Sequence, residues 1–237
     1  SYARAVAAAV RDEIASRAGR MLEQRRDWDI ALYRDETHYR DTTGHLTLAR
    51  PTLPGVHQVH NLGLAIAMLR HQSAIAVSET ALRAAPRWAS WPARLQRLDD
   101  GPLIAQRPGE GAVWLDGGHN PAAGVALAAA LAPILGKGGR VALITGMLAN
   151  KDAAGFLKPL LPLASALLSV PVSHHEAHDA QSFATIAASH GVAHHHHETL
   201  QGAMQALAQS GWTGPVLICG SLYLAGEALA ANGQPPV

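Results

Sequence analysis

The sequence predicts an α/β protein whose main unit is a doubly wound, mostly parallel sheet flanked by helices, from about Trp91 to the C-terminus. The first observation is a set of short, unalternating apolar runs at 112–115, 141–145, 166–170 and 216–219. Strands buried on both faces have that pattern. The second is the set of helical stretches between and after them, at 122–135, 153–163, 181–190, 200–209 and 222–231. Strand–helix alternation at this spacing makes parallel crossovers, with ligands beyond the carboxyl ends of the strands. The third is a change of rhythm at 87–93, RWASWPA. Pro92 fixes the backbone there, and two tryptophans predict that this hinge or linker packs against something.

Ahead of the linker, Tyr2, Val6, Val10 and Ile14 recur every fourth residue with charged residues between them. They predict one apolar stripe on a helix over 2–24. Residues 29–33 (DIALY) read as a strand, with 37–39 and 46–48 as short partners and polar turns at 34–36 and 42–44. After the break at Leu53-Pro54-Gly55, residues 59–69 are apolar enough for a buried helix. Ser78 and Glu79 open another, which has to stop before Pro86. This part begins inside a helix with no strand-bearing core before it. It reads as the tail of a larger α/β unit, and the chain as a fragment.

With 237 residues there is room for one large domain or two modest ones. A formal charge of +1 gives no reason to expect a nucleic-acid or membrane partner. No apolar run reaches the roughly 18 residues of a membrane span, and no signal-peptide pattern opens the chain. A single cysteine, Cys219, excludes an internal disulfide and makes a reducing cytoplasm the expected compartment.

The strongest local signal is Leu115-Asp116-Gly117-Gly118-His119-Asn120-Pro121. A buried strand ends on an aspartate, two glycines allow a tight path, and a helix begins near Pro121 with Asn120 placed to cap it. A carboxylate, an imidazole and helix N–H groups then meet at the ligand-binding edge. A carboxylate there suits ribose hydroxyls or a metal; an imidazole suits a phosphate or a proton shuttle. Capping of the turn explains Asp116 and Asn120 equally well, since strand–Asp–Gly turns are common.

DGGHNP resembles the D-G-A-H-N-P segment of folylpolyglutamate and dihydrofolate synthases, relatives of the Mur peptide ligases. Four further segments agree in order. GVHQVHNLGLAIAML at 55–69 is similar to that family's G-x-H-Q-x-x-N-A-A-x-A helix, and SWPARLQ at 90–96 to its W-P-G-R-L-E/Q linker. ITGMLANKD at 144–152 is similar to its G-x-L-x-D-K-D segment, and LICGSLYL at 217–224 to its closing C/T-G-S-L-Y strand and turn. The resemblance implies a Rossmann-like C-terminal domain over 94–237, a linker at 87–93, and the C-terminal portion of a central ATPase domain over 1–86. The implied hinge lets the C-terminal domain close over nucleotide.

The activity so implied is ATP-dependent addition of L-glutamate to dihydropteroate or folates through an acyl phosphate, by a cytoplasmic monomer using Mg2+. Positioning and charge neutralisation at the phosphoryl group carry such chemistry. By the same resemblance Asn61, Arg94 and Asp116 contact nucleotide, and His119 lies near the phosphates or the transferring group. Taken without it, Asn61 is a helix amide, Arg94 a surface ion-pair partner and His119 a ring satisfying a local carbonyl. Lys151 and Asp152 then read as a solvated helix start, and Ser221 as the cap of the last helix.

Three small-residue departures bear on backbone geometry: Ala93 for the usual glycine, Gly118 for alanine, and Leu62-Gly63 for Ala-Ala. The larger departure is that no G-x-x-x-x-G-K-[ST] loop occurs. The family carries it, with the magnesium carboxylates and a modified lysine, in a part that would precede Ser1, so this polypeptide alone is expected to be inactive. Two rivals are a Mur-type ligase for another acceptor and a non-catalytic nucleotide-binding module. A metal-binding reading of His174, His175, His178 and 194–197 is the third. HEAH at 175–178 is one residue short of H-E-x-x-H, and alternate residues of a strand face opposite ways, so an incidental polar cluster is expected. Cys219, in an apolar strand, reads as a small core residue.

Overall fold

The computed structural model describes residues 4–17, 19–106 and 109–235. Two units, Ser1–Thr52 with His57–Ala89, and Leu53–Val56 with Ser90–Val237, have separate sets of internal contacts. Among the described residues no helix is long and apolar enough to cross a membrane.

The first unit holds α1 (Arg4–Ser16), an antiparallel meander of β1 (Trp28–Tyr33), β2 (Glu36–Asp41) and β3 (Gly44–Ala49), most of α2 (Val56–Arg70), and α3 (Glu79–Trp88). Alternation along the strands turns Trp28, Ile30, Tyr39, Leu46 and Leu48 to one face, against Val59, Ile66 and Ala67 of α2 and Leu82 of α3. The first helix is shorter than the 2–24 its apolar spacing predicts. It ends at Ser16, where the Gly19 N–H turns back to the Ile14 carbonyl. Val6 and Val10 of the predicted stripe are exposed, and Tyr2 lies outside the described residues. The α3 helix runs through Pro86 to Trp88 instead of stopping before it. In the last turn proline forfeits one backbone bond, and Thr52 compensates by donating its N–H to the Pro86 carbonyl and its hydroxyl to that of Ala89.

A buried carboxylate ties the meander to α2. Asp41 accepts from the Tyr39 hydroxyl at 3.0 Å, the Thr43 N–H at 2.8 Å, the Thr43 hydroxyl at 2.7 Å and Arg70 Nε at 2.9 Å. Its side chain has no exposed surface, and Arg70 also reaches the Thr43 hydroxyl. Close approach explains Gly63: a Cβ there would meet Ile30 Cγ2 at 2.5 Å and Trp28 Cζ3 at 2.9 Å.

The second unit is a six-stranded sheet in the order β4-β5-β9-β6-β7-β8: β4 (Gln96–Arg97), β5 (Val113–Asp116), β6 (Val141–Thr145), β7 (Ala164–Ser169), β8 (Ala193–His196) and β9 (Val216–Cys219). All pairings are parallel except β4 with β5. On one face α4 (Pro121–Leu135), α5 (Ala153–Leu157) and α6 (Ala180–Ala188) cover Val141, Leu143, Leu167 and Leu217. On the other, α7 (Leu200–Gln209) and α8 (Leu222–Ala231) cover Leu115, Ile144, Val216 and Ile218. Burial on both faces is why these strands read as unbroken apolar runs. The stretch 153–163, which the sequence predicts as one helix, stops at Leu157 and resumes as a 3₁₀ turn at Leu161–Leu163, because Pro159 and Pro162 interrupt it. Trp88 and Trp91 are 82% and 65% exposed, so among the described residues the linker tryptophans do not find the packing expected of them.

Burial alone would raise the Asp41 carboxyl, but hydrogen bonds from Thr43, Arg70 and Tyr39 outweigh it and hold the pKa at about 2. A carboxyl depressed on folding stabilises above its unfolded pKa of about 4, and that contribution fades as the pH falls towards 2. Urea midpoints of the parent should therefore drop between pH 5 and pH 2, and Asp41→Asn should flatten that part of the curve; an undiminished acid slope in the variant would refute the assignment. Gly63→Ala should lower stability by about 1–3 kcal/mol through overpacking, despite the better helix propensity of alanine. A chemical denaturation curve reads this directly.

Candidate functional site

Three neighbouring strands of the second unit deliver polar turns to the carboxyl edge of the sheet. β5 ends in Asp116 to Pro121, β9 in Gly220 and Ser221, and β6 leads through Gly146 to Lys151. β9 lies between β5 and β6, and the helices change face around it, so this edge has the topology of a ligand crevice.

At the β5 turn the local chemistry is fully engaged. Asp116 Oδ1 accepts from the Gly118 N–H at 2.7 Å and Oδ2 from the Leu95 N–H at 2.8 Å. Asn120 caps α4 by accepting from the Ala123 N–H at 2.9 Å, with Pro121 in its first turn. The half-buried His119 has Nδ1 3.3 Å from the Gly117 carbonyl. A Cβ on Gly118 would meet Asp116 Oδ1 at 2.8 Å and Ala123 Cβ at 3.0 Å, so glycine gives the carboxylate its room. Similarly Ser221 caps α8 through the Tyr223 N–H, and Asp152 caps α5 through the Gly155 N–H. The His178 ring bonds the Lys151 carbonyl at 2.8 Å.

The linker runs alongside this turn. Ala93 and Leu95 have φ of 56° and 44°, a left-handed backbone that side chains disfavour by about 1–2 kcal/mol each. Their side chains are buried in opposite faces of the unit, Ala93 with Leu98 and Val113, Leu95 with Leu127 and Met147. The Gly117 N–H donates to the Ala93 carbonyl at 2.9 Å, and the Ala93 N–H to Gln96 Oε1 at 3.0 Å. Arg94 stands between these anchors, half-buried, and its guanidinium has no protein partner among the described residues. Sequence spacing brings Arg94 and Asp116 no nearer than 22 positions apart; the Leu95–Asp116 bond makes them neighbours. Asn61 lies in the first unit, on the exposed side of α2, with Nδ2 donating to Gln58 Oε1 at 3.0 Å. Gln96 is a residue that spacing alone did not single out; its signal was only a polar side chain at the foot of the linker.

The histidines are placed otherwise. His194 Nε2 and His196 Nδ1 share the Ser169 hydroxyl at 2.9 and 3.0 Å, on one face of β8 as strand alternation requires. The His175 ring lies against that of Tyr223, tilted by 35° with centroids 3.8 Å apart. Among the described residues no three His, Cys, Asp or Glu side chains are arranged to hold a metal ion. Burial first, and the nearby Asp116 charge second, push the Cys219 thiol well above its ordinary range, so it is no nucleophile.

Residues 101–222 match the family model described as Mur ligase, glutamate ligase domain. The folylpolyglutamate synthase of Lacticaseibacillus casei is 27% identical over 231 residues, 92% of this chain and 50% of that relative. Two solved structures are similar in fold. The Mycobacterium tuberculosis folylpolyglutamate synthase complexed with ADP and AMPPCP has a TM-score of 0.78 at 20% identity, over 98% of this chain and 54% of that one. The Yersinia pestis bifunctional folylpolyglutamate synthase/dihydrofolate synthase complexed with AMPPNP and a Mn ion has a TM-score of 0.74 at 25% identity, over 94% and 50%. The chain thus spans about half the length of the relatives it matches.

Because alanine occupies a left-handed position at residue 93, Ala93→Gly should raise stability by up to about 1 kcal/mol, the relief of strain exceeding the added entropy of the unfolded chain. Thermal melting against the parent checks it; a lower melting temperature would show that the Ala93 methyl contributes more by packing than its φ costs.

Proposed function

The chain belongs to the Mur ligase family, in its folylpolyglutamate and dihydrofolate synthase branch, and on that premise we propose that it forms the nucleotide-handling C-terminal part of an ATP-dependent amide ligase. The reaction joins L-glutamate to the carboxylate of a pterin or folate. A carboxylate oxygen bonds to the γ-phosphorus of ATP and ADP leaves. The glutamate amine then attacks the acyl carbon, loses its proton, and releases inorganic phosphate. The one cysteine of this chain is buried and unpaired, which suits the reducing cytoplasm we assign to the enzyme.

The observation that supports this most is Arg94. A guanidinium without a partner among the described residues, on a backbone fixed from several directions beside a ligand-edge turn, suits an anion supplied from outside. Phosphate oxygens gain negative charge as the phosphoryl group transfers, and a preorganised guanidinium stabilises that charge without first reorganising. Asp116 keeps the DGGHNP turn and the linker in register, and we assign it to the ribose side of the nucleotide. His119, half-buried and on the same turn, is assigned to the phosphates or the transferring group, and Asn61 to a nucleotide contact. The Mg2+ that such a transfer uses would be held mainly by residues outside this chain, since among the described residues no three ligating side chains are grouped to hold a metal ion.

In the ligase that contains this chain, Arg94→Ala should lower kcat/KM for ATP by about a hundredfold or more, the scale of losing one charge-stabilising donor. Arg94→Lys should recover only part, since a point charge replaces a fork. Steady-state phosphate release checks both, and an Arg94→Ala enzyme with the parent rate overturns the role.

A further inference from the structure

We propose that Gln96 is a positioning residue for Arg94. Its side chain holds the left-handed turn that presents the guanidinium, and thereby sets how strongly the ligase engages ATP. The inference rests on the nucleotide role given to Arg94 above.

The turn is unusual in having two non-glycine residues at positive φ, Ala93 and Leu95, on either side of Arg94. Such backbone persists only where surroundings over-determine it, and it concentrates at functional sites. Here the restraints can be named. Leu95 N–H is held by Asp116, and the Ala93 carbonyl by the Gly117 N–H. Both flanking side chains are buried, one in each face of the sheet unit. These fix the carbonyl of Ala93 and the amide of Leu95, but leave the amide of Ala93 to be satisfied. Gln96 Oε1 does that at 3.0 Å, closing a three-residue side-chain-to-backbone loop around Arg94. Gln96 is itself anchored, since its backbone pairs with Leu115 in the short antiparallel β4–β5 ladder. A side chain tied at its base to the strand carrying Asp116, and at its tip to the residue before Arg94, couples the guanidinium to the site turn.

The bond requires an acceptor and nothing more. Glutamate at 96 accepts the same N–H through a carboxylate oxygen, whereas leucine fills similar volume and leaves the Ala93 amide without its partner. In the ligase that contains this chain, Gln96→Leu should lower kcat/KM for ATP by about tenfold, as a small misplacement of a charged group does, with KM for glutamate unchanged. Gln96→Glu should stay within about threefold of the parent, because the acceptor is retained. Adding Gln96→Leu to Arg94→Ala should cost nothing further, because the first residue acts through the second. Three results overturn the positioning role: parent-like ATP use in Gln96→Leu, equal impairment in Gln96→Glu, or a full independent loss in the Arg94→Ala background. If Arg94→Ala itself is harmless, the nucleotide reading of Arg94 fails instead. Carbon-13 shifts of Ala93 and Leu95 in this 237-residue chain then report whether Gln96→Leu still collapses the left-handed turn; unchanged shifts would dispose of the clamp as well.

Discussion

The Asp116 carboxylate is the point on which the second unit's ligand edge depends. It sits at the end of β5, 9% exposed, and accepts one backbone N–H from its own turn and one from the linker. A buried carboxylate without such donors would be costly; with them it extends the tie between linker and strand beyond the short β4–β5 ladder. The turn after β5 can then run straight into α4, and the linker can hold a left-handed path it would not otherwise keep. Gly118 and the buried Leu95 follow from the same constraint, the first by making room beside Oδ1, the second by locking the donor in place.

The sheet order puts this carboxylate where it matters. Because β9 is inserted between β5 and β6, three turns with short polar side chains lie side by side. Each of those side chains is first a local structural device: Asn120, Asp152 and Ser221 all cap helices. Capping leaves the helix starts ordered and their remaining N–H groups aimed at the crevice. Structural and functional readings of these residues are therefore compatible, since the cap is what orients the edge. Arg94 differs in kind. Its backbone is held on both sides, yet among the described residues nothing pairs with its guanidinium.

The histidine-rich segments have a physical account that needs no metal. His194 and His196 converge on Ser169 because residues two apart on a strand share a face, and the buried hydroxyl gives both rings a partner. Burial, followed by the neighbouring imidazoles, lowers the pKa of His194. His175 and Tyr223 meet as tilted rings at the loop after β7, where His174 takes a left-handed φ of 62°.

By itself the sequence determined the buried strands, the caps and the family segments, because these are short-range properties: apolar runs, side chains within hydrogen-bond reach of their own backbone, and motifs read in order. Fold class and the DGGHNP turn were legible for that reason. The shortened first helix, the helix running through Pro86 and the exposed linker tryptophans were decided elsewhere, by Gly19 turning back on Ile14, by Thr52 reaching across from another segment, and by the lack of an apolar partner among the described residues. Only the tertiary structure could join Leu95 to Asp116, since a hydrogen bond between residues 21 apart has no signature in local pattern. The same holds for Gly63, which looks like a weak helix residue until Ile30 is seen 2.5 Å from where its Cβ would be. Local chemistry named the ends of the site. Long-range packing set the geometry that connects them.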